Sequence, residues 1–268
     1  MVVPTGMSRS WGQGFGKIFI AGEYGVLTGG TAIVWGLEEV IAHTILWEDG
    51  SYDTQMDHFY NPCTGRKWGL GGSAARIVSV MDMRIRSGYE DDSGWGFREL
   101  REGRISPHLR MCVDEHRALQ GGMGSGADVV ASALGGLLKV RGCPDDIVVE
   151  RLEMPCEFSL YRTGIEAFTT EYLSAFFAAY DAGKPGLDEI LGEIDSIAVR
   201  AADCISAGDL EGMRSALGLV DEVLGRLGKL LGKDIVPESY LELKVGIEAS
   251  GKMCKVCGCG GGDTVLVF

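Results

Sequence analysis

Proline, basic residues and long apolar runs are all scarce in this chain. Its 268 residues include 7 prolines, far fewer than a collagen-like repeat would need at its strict three-residue period. No apolar run approaches the roughly 18 residues of a membrane-spanning helix. Residues 1–17 contain no apolar core that could serve as a signal peptide. These absences predict a cytoplasmic protein with no membrane partner.

Positive charge is in short supply relative to negative charge. The 25 lysines and arginines stand against 38 acidic residues, which gives a formal net charge of −13. Nucleic-acid binding depends on neutralising phosphates with basic side chains, so we expect no nucleic-acid partner. An acidic protein can still bind phosphorylated metabolites, provided that it places a few cations locally.

The eight cysteines do not indicate a secreted protein, because thiols stay reduced where no signal peptide is present. Cys254, Cys257 and Cys259 form a C-x2-C-x-C cluster that invites a zinc interpretation. A structural zinc site usually needs a second pair of ligands at a suitable spacing, and none stands nearby. The sequence favours small buried thiols beside a glycine loop.

Glycine is abundant, with 41 residues that cluster at positions 69–72, 121–126, 135–136 and 258–262. Between these loops, apolar spacing predicts helices at 73–83, 169–180, 187–206, 210–231 and 239–249. A further helix is predicted to begin after residue 126, with Leu137 on its apolar side. Strands are predicted at 18–21, 32–35, 41–47, 147–154, 157–162, 253–256 and 264–268. Strands and helices do not alternate strictly, which favours an α+β fold in two lobes.

The first glycine cluster, residues 69–72, directly precedes a predicted helix. Glycine lets the backbone approach an anion, and the helix directs free N–H groups and its positive dipole end at the loop. Taken alone, the segment fits an ordinary turn equally well. It also fits a loose dinucleotide fingerprint, but the buried strand that should precede such a fingerprint is absent. No G-x-x-x-x-G-K-[ST] motif exists, so a P-loop enzyme is excluded.

The second and third clusters each carry a carboxylate. Asp128 follows Gly124–Gly126 in the first turn of a predicted helix, where a stabilising cap is as good an interpretation as an orienting base. The glycines at 258–262 exceed what a hairpin turn needs. We expect this backbone to pack closely against a ligand or another loop.

Taken in order, these segments resemble the motifs of the GHMP kinase superfamily. Residues 17–24, ending in Gly-Glu-Tyr, are similar to the first motif, and residues 67–75 resemble the phosphate-binding second motif. His116, Gln120-Gly121 and residues 124–128 match the segment that carries the family's catalytic aspartate. Residues 255–263 match the third motif, and Thr163-Gly164, Ala167 and Thr169 resemble another element. The details most resemble phosphomevalonate kinases.

The resemblance implies a two-lobed fold, with an ATP-binding ribosomal protein S5 domain 2-like lobe at residues 1–155 and a ferredoxin-like lobe at 156–268. It implies transfer of a phosphoryl group from ATP, with Mg²⁺, to a small acceptor, by a monomer or homodimer. Asp128 and Lys17 would be catalytic, with Asp128 orienting the acceptor and holding Lys17. The implied ATP and phosphate site is Lys67, Gly69, Leu70, Gly71, Gly72, Ser73 and Ala74. Glu23, Tyr24, Ser125, Gly126, Gly258, Gly260 and Gly261 would lie on the substrate side, with Ser73 as a magnesium ligand and His116 near the metal.

Three functions remain open at this point. The first is phosphorylation of phosphomevalonate to diphosphomevalonate in isoprenoid precursor synthesis. The second keeps the kinase and changes the acceptor to mevalonate or another small alcohol. The third is a catalytically degenerate kinase fold that binds metabolites or regulates another protein.

Overall fold

The larger of two antiparallel sheets is built mainly from two long strands. The computed structural model describes residues 8–92, 94–163 and 169–268. Strands β1 (Ser8–Ala21), β2 (Ala32–Trp47), β4 (Gly136–Arg141) and β5 (Val148–Leu152) form the order β1-β2-β4-β5, and β3 (Tyr52–Gln55) pairs with β2. Along β1, buried and half-buried side chains alternate, as expected when successive residues point to opposite faces.

Three helices cover one face of this sheet: α1 (Gly72–Arg86), α2 (Pro107–Leu119) and α3 (Ala127–Leu134). Their apolar sides and the sheet share a core that includes Val34, Val78, Val113, Val130 and Leu138, all with no measurable exposure. The N-terminal ends of α1 and α3 are both preceded by glycine loops, so the same packing that buries these helices fixes two glycine clusters.

The described residues of the second half, 156–163 and 169–268, form a small sheet and five helices. Strands β6 (Ser159–Arg162), β7 (Cys254–Val256) and β8 (Thr264–Val267) form an antiparallel sheet in the order β6-β8-β7. The helices are α4 (Thr169–Asp181), α5 (Leu187–Ser206), α6 (Leu210–Leu217), α7 (Val220–Leu231) and α8 (Glu238–Glu248). The predicted α+β class is therefore correct.

A single apolar cluster connects the two halves. It contains Ile18 and Ile20 of β1 together with Phe176 of α4, Ile194 of α5 and Leu224 of α7. Burial of this surface ties the C-terminal helices to the end of β1. The predicted boundary between residues 155 and 156 falls between β5 and β6 and stays a prediction.

Three element predictions were wrong. The segments 32–35 and 41–47 belong to one strand, β2. Between the paired residues Gly16–Leu37 and Phe15–Ile41 the register shifts, so residues 38–40 form a bulge. The bulge contains the two exposed glutamates and lets the strand continue on both sides of them. The helix placed over 210–231 is divided at Gly218-Leu219 into α6 and α7, since glycine weakens a helix while both pieces bury the same stripe. Leu137 lies in β4, because Gly135 and Gly136 take positive φ values and end α3.

The sequence analysis also missed β3 and α2. The apolar residues of α2, including Leu109 and Val113, form a stripe only two turns long, too short to stand out among polar neighbours. None of the helices that the structure describes combines the length and the apolar character of a membrane span.

Candidate active site

A cleft of about 660 Å³, open to solvent, lies where the glycine loops of both halves meet the end of β1. Its walls include Lys17 and Glu23 from the first segment, Gly69 from the second, Asp128 from the third and Gly258 from the last. These residues are separated by up to 241 positions in sequence. Folding therefore brings all four motif segments to one place.

The N-terminus of α1 presents unpaired backbone N–H groups. Its N-cap is Gly71, in the left-handed conformation, with no side-chain cap and no acidic residue in the first turn. The Lys17 backbone N–H donates to the Leu70 carbonyl at 2.8 Å, which fixes the loop to β1. A fifteen-residue helix with a free, positively polarised end is a suitable anion site.

Asp263 packs against Gly69 on the opposite wall. An added Cβ at Gly69 would overlap the Asp263 carboxylate, and the φ of Gly69 is +73°, so this position requires glycine. Burial raises the pKa of Asp263 to about 7, although the charge of Lys17 acts in the opposite direction. The carboxyl group is thus partly protonated near neutral pH.

Ser73, His116 and Asp128 form a chain across the site. The Ser73 hydroxyl lies 2.9 Å from His116 Nε2, and His116 Nδ1 lies 3.5 Å from Asp128 Oδ2. His116 has no exposed surface, whereas the Asp128 side chain is 17% exposed. Asp128 Oδ1 also accepts a hydrogen bond from the Val129 backbone N–H at 3.0 Å. The carboxylate is held from two sides and faces the cleft.

Lys17 is the one cation among the lining residues that the structure describes. Its aliphatic stem packs on Gly71, and its Nζ lies 5.0 Å from the centre of the Phe19 ring. In the described part of the chain, no ion pair within 4 Å joins Lys17 to Asp128. The expected direct hold of Asp128 on Lys17 is therefore absent from this conformation.

Side-chain hydrogen bonds join the first motif to the last one. The Lys255 ammonium donates to Glu23 Oε1 at 2.6 Å, and both side chains are at most 3% exposed. Burial lowers the pKa of Lys255, but the Glu23 carboxylate more than offsets that effect and the net pKa lies above the ordinary value. The Tyr24 hydroxyl donates to the Cys259 carbonyl at 2.6 Å. Glu23 and Tyr24 thus hold the 258–262 loop as well as lining the cleft.

No protein-family model matches the chain, and no curated protein matches it in sequence. Solved structures do match. The Lin0012 protein from Listeria innocua has a TM-score of 0.79 at 20% identity, over 96% of this chain and 90% of that one. Streptococcus pneumoniae phosphomevalonate kinase in complex with phosphomevalonate and AMPPNP has a TM-score of 0.73 at 14% identity, over 96% and 91%. The L. major mevalonate kinase in complex with R-mevalonate has a TM-score of 0.68 at 15% identity, over 100% and 89%.

The chain has the GHMP kinase fold. In this fold the cleft lies between the sheet that contains β1 and the helices of the second half, and the motif segments surround it.

Several residues predicted for the GHMP site do not line the cleft. Lys67 is exposed, Leu70 and Ala74 are buried in the core, and Gly71, Gly72 and Ser73 lie at the start of α1 outside the cleft lining. Gly260 and Gly261 pack against Ile235, whose carbonyl accepts a hydrogen bond from the Gly261 N–H at 2.9 Å. The expected close packing of the third glycine cluster is therefore against another loop.

Other predicted residues act on the helix that carries Asp128. Gly126 is the left-handed N-cap of α3, and Ser125, which lines the cleft, accepts a hydrogen bond from the Ala127 N–H through its hydroxyl oxygen at 3.2 Å.

Thr163, from another predicted element, donates its hydroxyl proton to the Gly262 carbonyl. Gly164 and Ala167, from the same predicted element, lie outside the described residues.

The sequence analysis gave no role to Asp263, Gln120, Leu173 or Cys259, which all line the cleft. Asp263 and Gln120 stood inside the quoted motifs, so their positions were available, but their side-chain directions depend on the fold. Leu173 lies on α4 and had no local signal apart from helical spacing.

The fold family implies magnesium, and hard oxygen donors are present for it. The Ser73 hydroxyl and the Asp128 carboxylate lie on either side of His116. Magnesium commonly takes one or two protein oxygens and completes its shell with water and substrate phosphates, so the Ser73 hydroxyl fits as its single protein ligand. In the described residues no three His, Cys, Asp or Glu side chains form a metal cluster. Burial raises the pKa of Cys257 to about 12, which disfavours the thiolate that a zinc site would need.

Proposed function

We propose that this protein is an ATP-dependent kinase for a small acceptor, with phosphomevalonate as the leading substrate. The observation that carries the proposal is the meeting of Lys17 and Asp128 at one cleft with Gly69, in the loop that leads into the N-terminus of α1. Phosphoryl transfer needs positioning and charge neutralisation more than covalent help. These groups supply both.

The proposed nucleotide side is the N-terminal end of α1. The first turn of α1, which follows Gly71, carries no acidic side chain beside its backbone amides. Phosphate oxygens would accept hydrogen bonds from these amides, and bound magnesium would bridge phosphate oxygens and offset their charge. Ser73 is the protein oxygen that would hold the metal, and Asp128, on the other side of the His116 ring, would face the acceptor.

The proposed acceptor side combines Lys17 with carboxyl groups that carry reduced charge. Glu23 is neutralised by Lys255, and the raised pKa of Asp263 leaves that group partly protonated near neutral pH. An anionic acceptor therefore meets less repulsion than the three acidic side chains suggest. Lys17 then supplies the positive charge for the transferring group or the acceptor phosphate.

The choice between a phosphate acceptor and an alcohol acceptor rests on Asp128. A phosphate oxygen is already mostly ionised near pH 7, so a phosphomevalonate kinase would need Asp128 mainly for orientation. An alcohol acceptor such as mevalonate would need a base within reach of its hydroxyl. The solved structures with this fold include kinases named for both acceptors, which supports testing both.

An ADP-release assay with Mg²⁺ and a panel of acceptors tests the proposal. We expect turnover with phosphomevalonate to exceed that with mevalonate. Lys17→Met and Asp128→Ala should each lower kcat by roughly 10²-fold or more, the size of effect seen when one transition-state contact is removed. Lys252→Met, at an exposed lysine, is the matched control and should retain activity.

Absence of turnover with every acceptor at high enzyme concentration would contradict a kinase function. Calorimetry with ATP and Mg²⁺ then separates the remaining cases. Nucleotide binding without turnover would indicate a different acceptor, and no nucleotide binding would indicate the degenerate kinase fold.

A further inference from the structure

His116 contacts both sides of the proposed active site with one buried ring. Its Nε2 lies 2.9 Å from the Ser73 hydroxyl in the first turn of α1, and its Nδ1 lies 3.5 Å from Asp128 Oδ2 in the first turn of α3. The ring has no exposed surface. The helix end proposed for the nucleotide and the carboxylate proposed for the acceptor are therefore joined by a single side chain.

The carboxylate determines which ring nitrogen carries the proton. In the described structure His116 Nδ1 has no hydrogen-bond partner; the group that faces it, at 3.5 Å, is the Asp128 carboxylate, and an ionised carboxylate can only accept. A lone pair on Nδ1 would face the negative oxygen, so the proton belongs on Nδ1. In the neutral ring Nε2 is then an acceptor, and the hydrogen bond with Ser73 must run from the hydroxyl to the ring.

The direction of that hydrogen bond fixes what Ser73 can bind. Because its proton is given to His116, the exposed Ser73 oxygen has only lone pairs left to offer to a ligand. Lone pairs suit a cation, whereas a phosphate oxygen would require the hydroxyl proton. The backbone amides of α1 remain available for the anion.

We propose that His116 is a positioning residue through which Asp128 makes Ser73 a magnesium ligand of the bound nucleotide. This inference rests on the proposed kinase function for the identity of the ligand, but not for the hydrogen-bond direction. His116 itself does not ligate the metal, since each ring nitrogen faces one of its two partners.

Asp128→Asn is the informative variant, because the structure determines the orientation of the new amide. The Val129 N–H donates to Asp128 Oδ1, so the amide oxygen takes that position and the NH₂ group faces His116 Nδ1. The amide then donates to Nδ1, the proton moves to Nε2, and Nε2 donates to Ser73. The Ser73 hydroxyl proton is then turned away from the ring and towards the ligand position.

The first test is the tautomer of His116, measured by nitrogen-15 NMR in the full chain without ligand. The chain has four histidines, so His116→Asn assigns the signal. We expect the Nδ1-protonated form in the wild type and the Nε2-protonated form in Asp128→Asn. An Nε2-protonated ring in the wild type would overturn the proposal, whether or not the protein is a kinase.

The second test is calorimetry of ATP binding, with Mg²⁺ and with EDTA. We expect Asp128→Asn to weaken binding roughly tenfold when Mg²⁺ is present and to have little effect in EDTA, since groups in one hydrogen-bond network couple by about this much. In the Ser73→Ala background the same change should matter less than about threefold. Ser73→Thr, which keeps a hydroxyl, should behave like the wild type.

A full tenfold effect of Asp128→Asn in the Ser73→Ala background would mean that Asp128 acts on the metal directly, and would refute the route through His116. Failure of the wild type to bind ATP with Mg²⁺ would refute both the metal role of Ser73 and the proposed function. The NMR result would still decide the hydrogen-bond direction.

Discussion

Replacing Lys255 by methionine removes the counter-charge of a carboxylate that lies in the interior. Lys255 has no exposed surface, Glu23 is 3% exposed, and Glu23 Oε2 has no hydrogen-bond partner in the described structure. After Lys255→Met the buried Glu23 carboxylate loses its counter-charge. Breaking a buried pair from one side costs about 3–5 kcal/mol, and we expect a loss of that size in the free energy of unfolding.

Urea denaturation followed by circular dichroism measures this loss. A thermal melt should show the same loss. At about 2–4 °C per kcal/mol for a chain near this size, the melting temperature should fall by roughly 6–20 °C. The double variant Glu23→Met/Lys255→Met should recover most of the loss, because replacing both charges by apolar groups of similar volume is often neutral or stabilising.

The exposed pair Arg226–Glu193 is the matched control, with side chains 43% and 42% exposed. Arg226→Met should cost far less than Lys255→Met, because exposed ion pairs contribute little to stability. The reasoning fails if Lys255→Met costs as little as the control. It also fails if the double variant is as unstable as the sum of the two single variants.

Two further predictions concern packing and pH. Gly12→Ala should lose about 1–3 kcal/mol of stability, because the added Cβ would overlap the backbone of α1 at Met83. The control Gly225→Ala in α7 has open space around the added Cβ and should gain about 0.5–1 kcal/mol. Equal effects of the two variants in thermal melts would contradict the close approach of Gly12 to α1. Asp263 has a folded pKa of about 7, above the ordinary value of 3.8, so the folded wild type holds this proton more tightly and loses stability as pH rises from about 4 to 7. In urea denaturation, the free energy of unfolding of Asp263→Asn relative to the wild type should therefore increase between pH 4 and 7, by at most a few kcal/mol, and stay constant above pH 7. A difference between the two proteins that does not change from pH 4 to 8 would be evidence against a buried, protonated carboxyl group.

Local sequence signals predicted most element types but not their junctions. The helix beginning near Ser73 and the strand around Ile18 followed from apolar spacing, since each buries a regular face. The division of 210–231 did not follow, because α6 and α7 keep one apolar stripe across Gly218-Leu219. The bulge in β2 is set by pairing with β1, which no local pattern records.

The same limit applies to the candidate site. The sequence identified Lys17, Asp128 and the glycine loops, because glycine clusters and a carboxylate at a helix start are local features. It did not assign the partner of Glu23, which is Lys255, 232 positions away. Nor did it predict that Asp263 would pack against Gly69 with a raised pKa.

By itself, then, the sequence determined the α+β class, the helix N-termini behind the glycine clusters and the order of the motif segments. Only the tertiary structure decided that Ser73, His116 and Asp128 form one chain, and that Lys67 and Gly261 do not line the cleft. The physical reason is that backbone preferences and apolar periodicity act over a few residues. The burial, charge pairing and hydrogen-bond direction of a side chain depend on whichever distant segment packs against it.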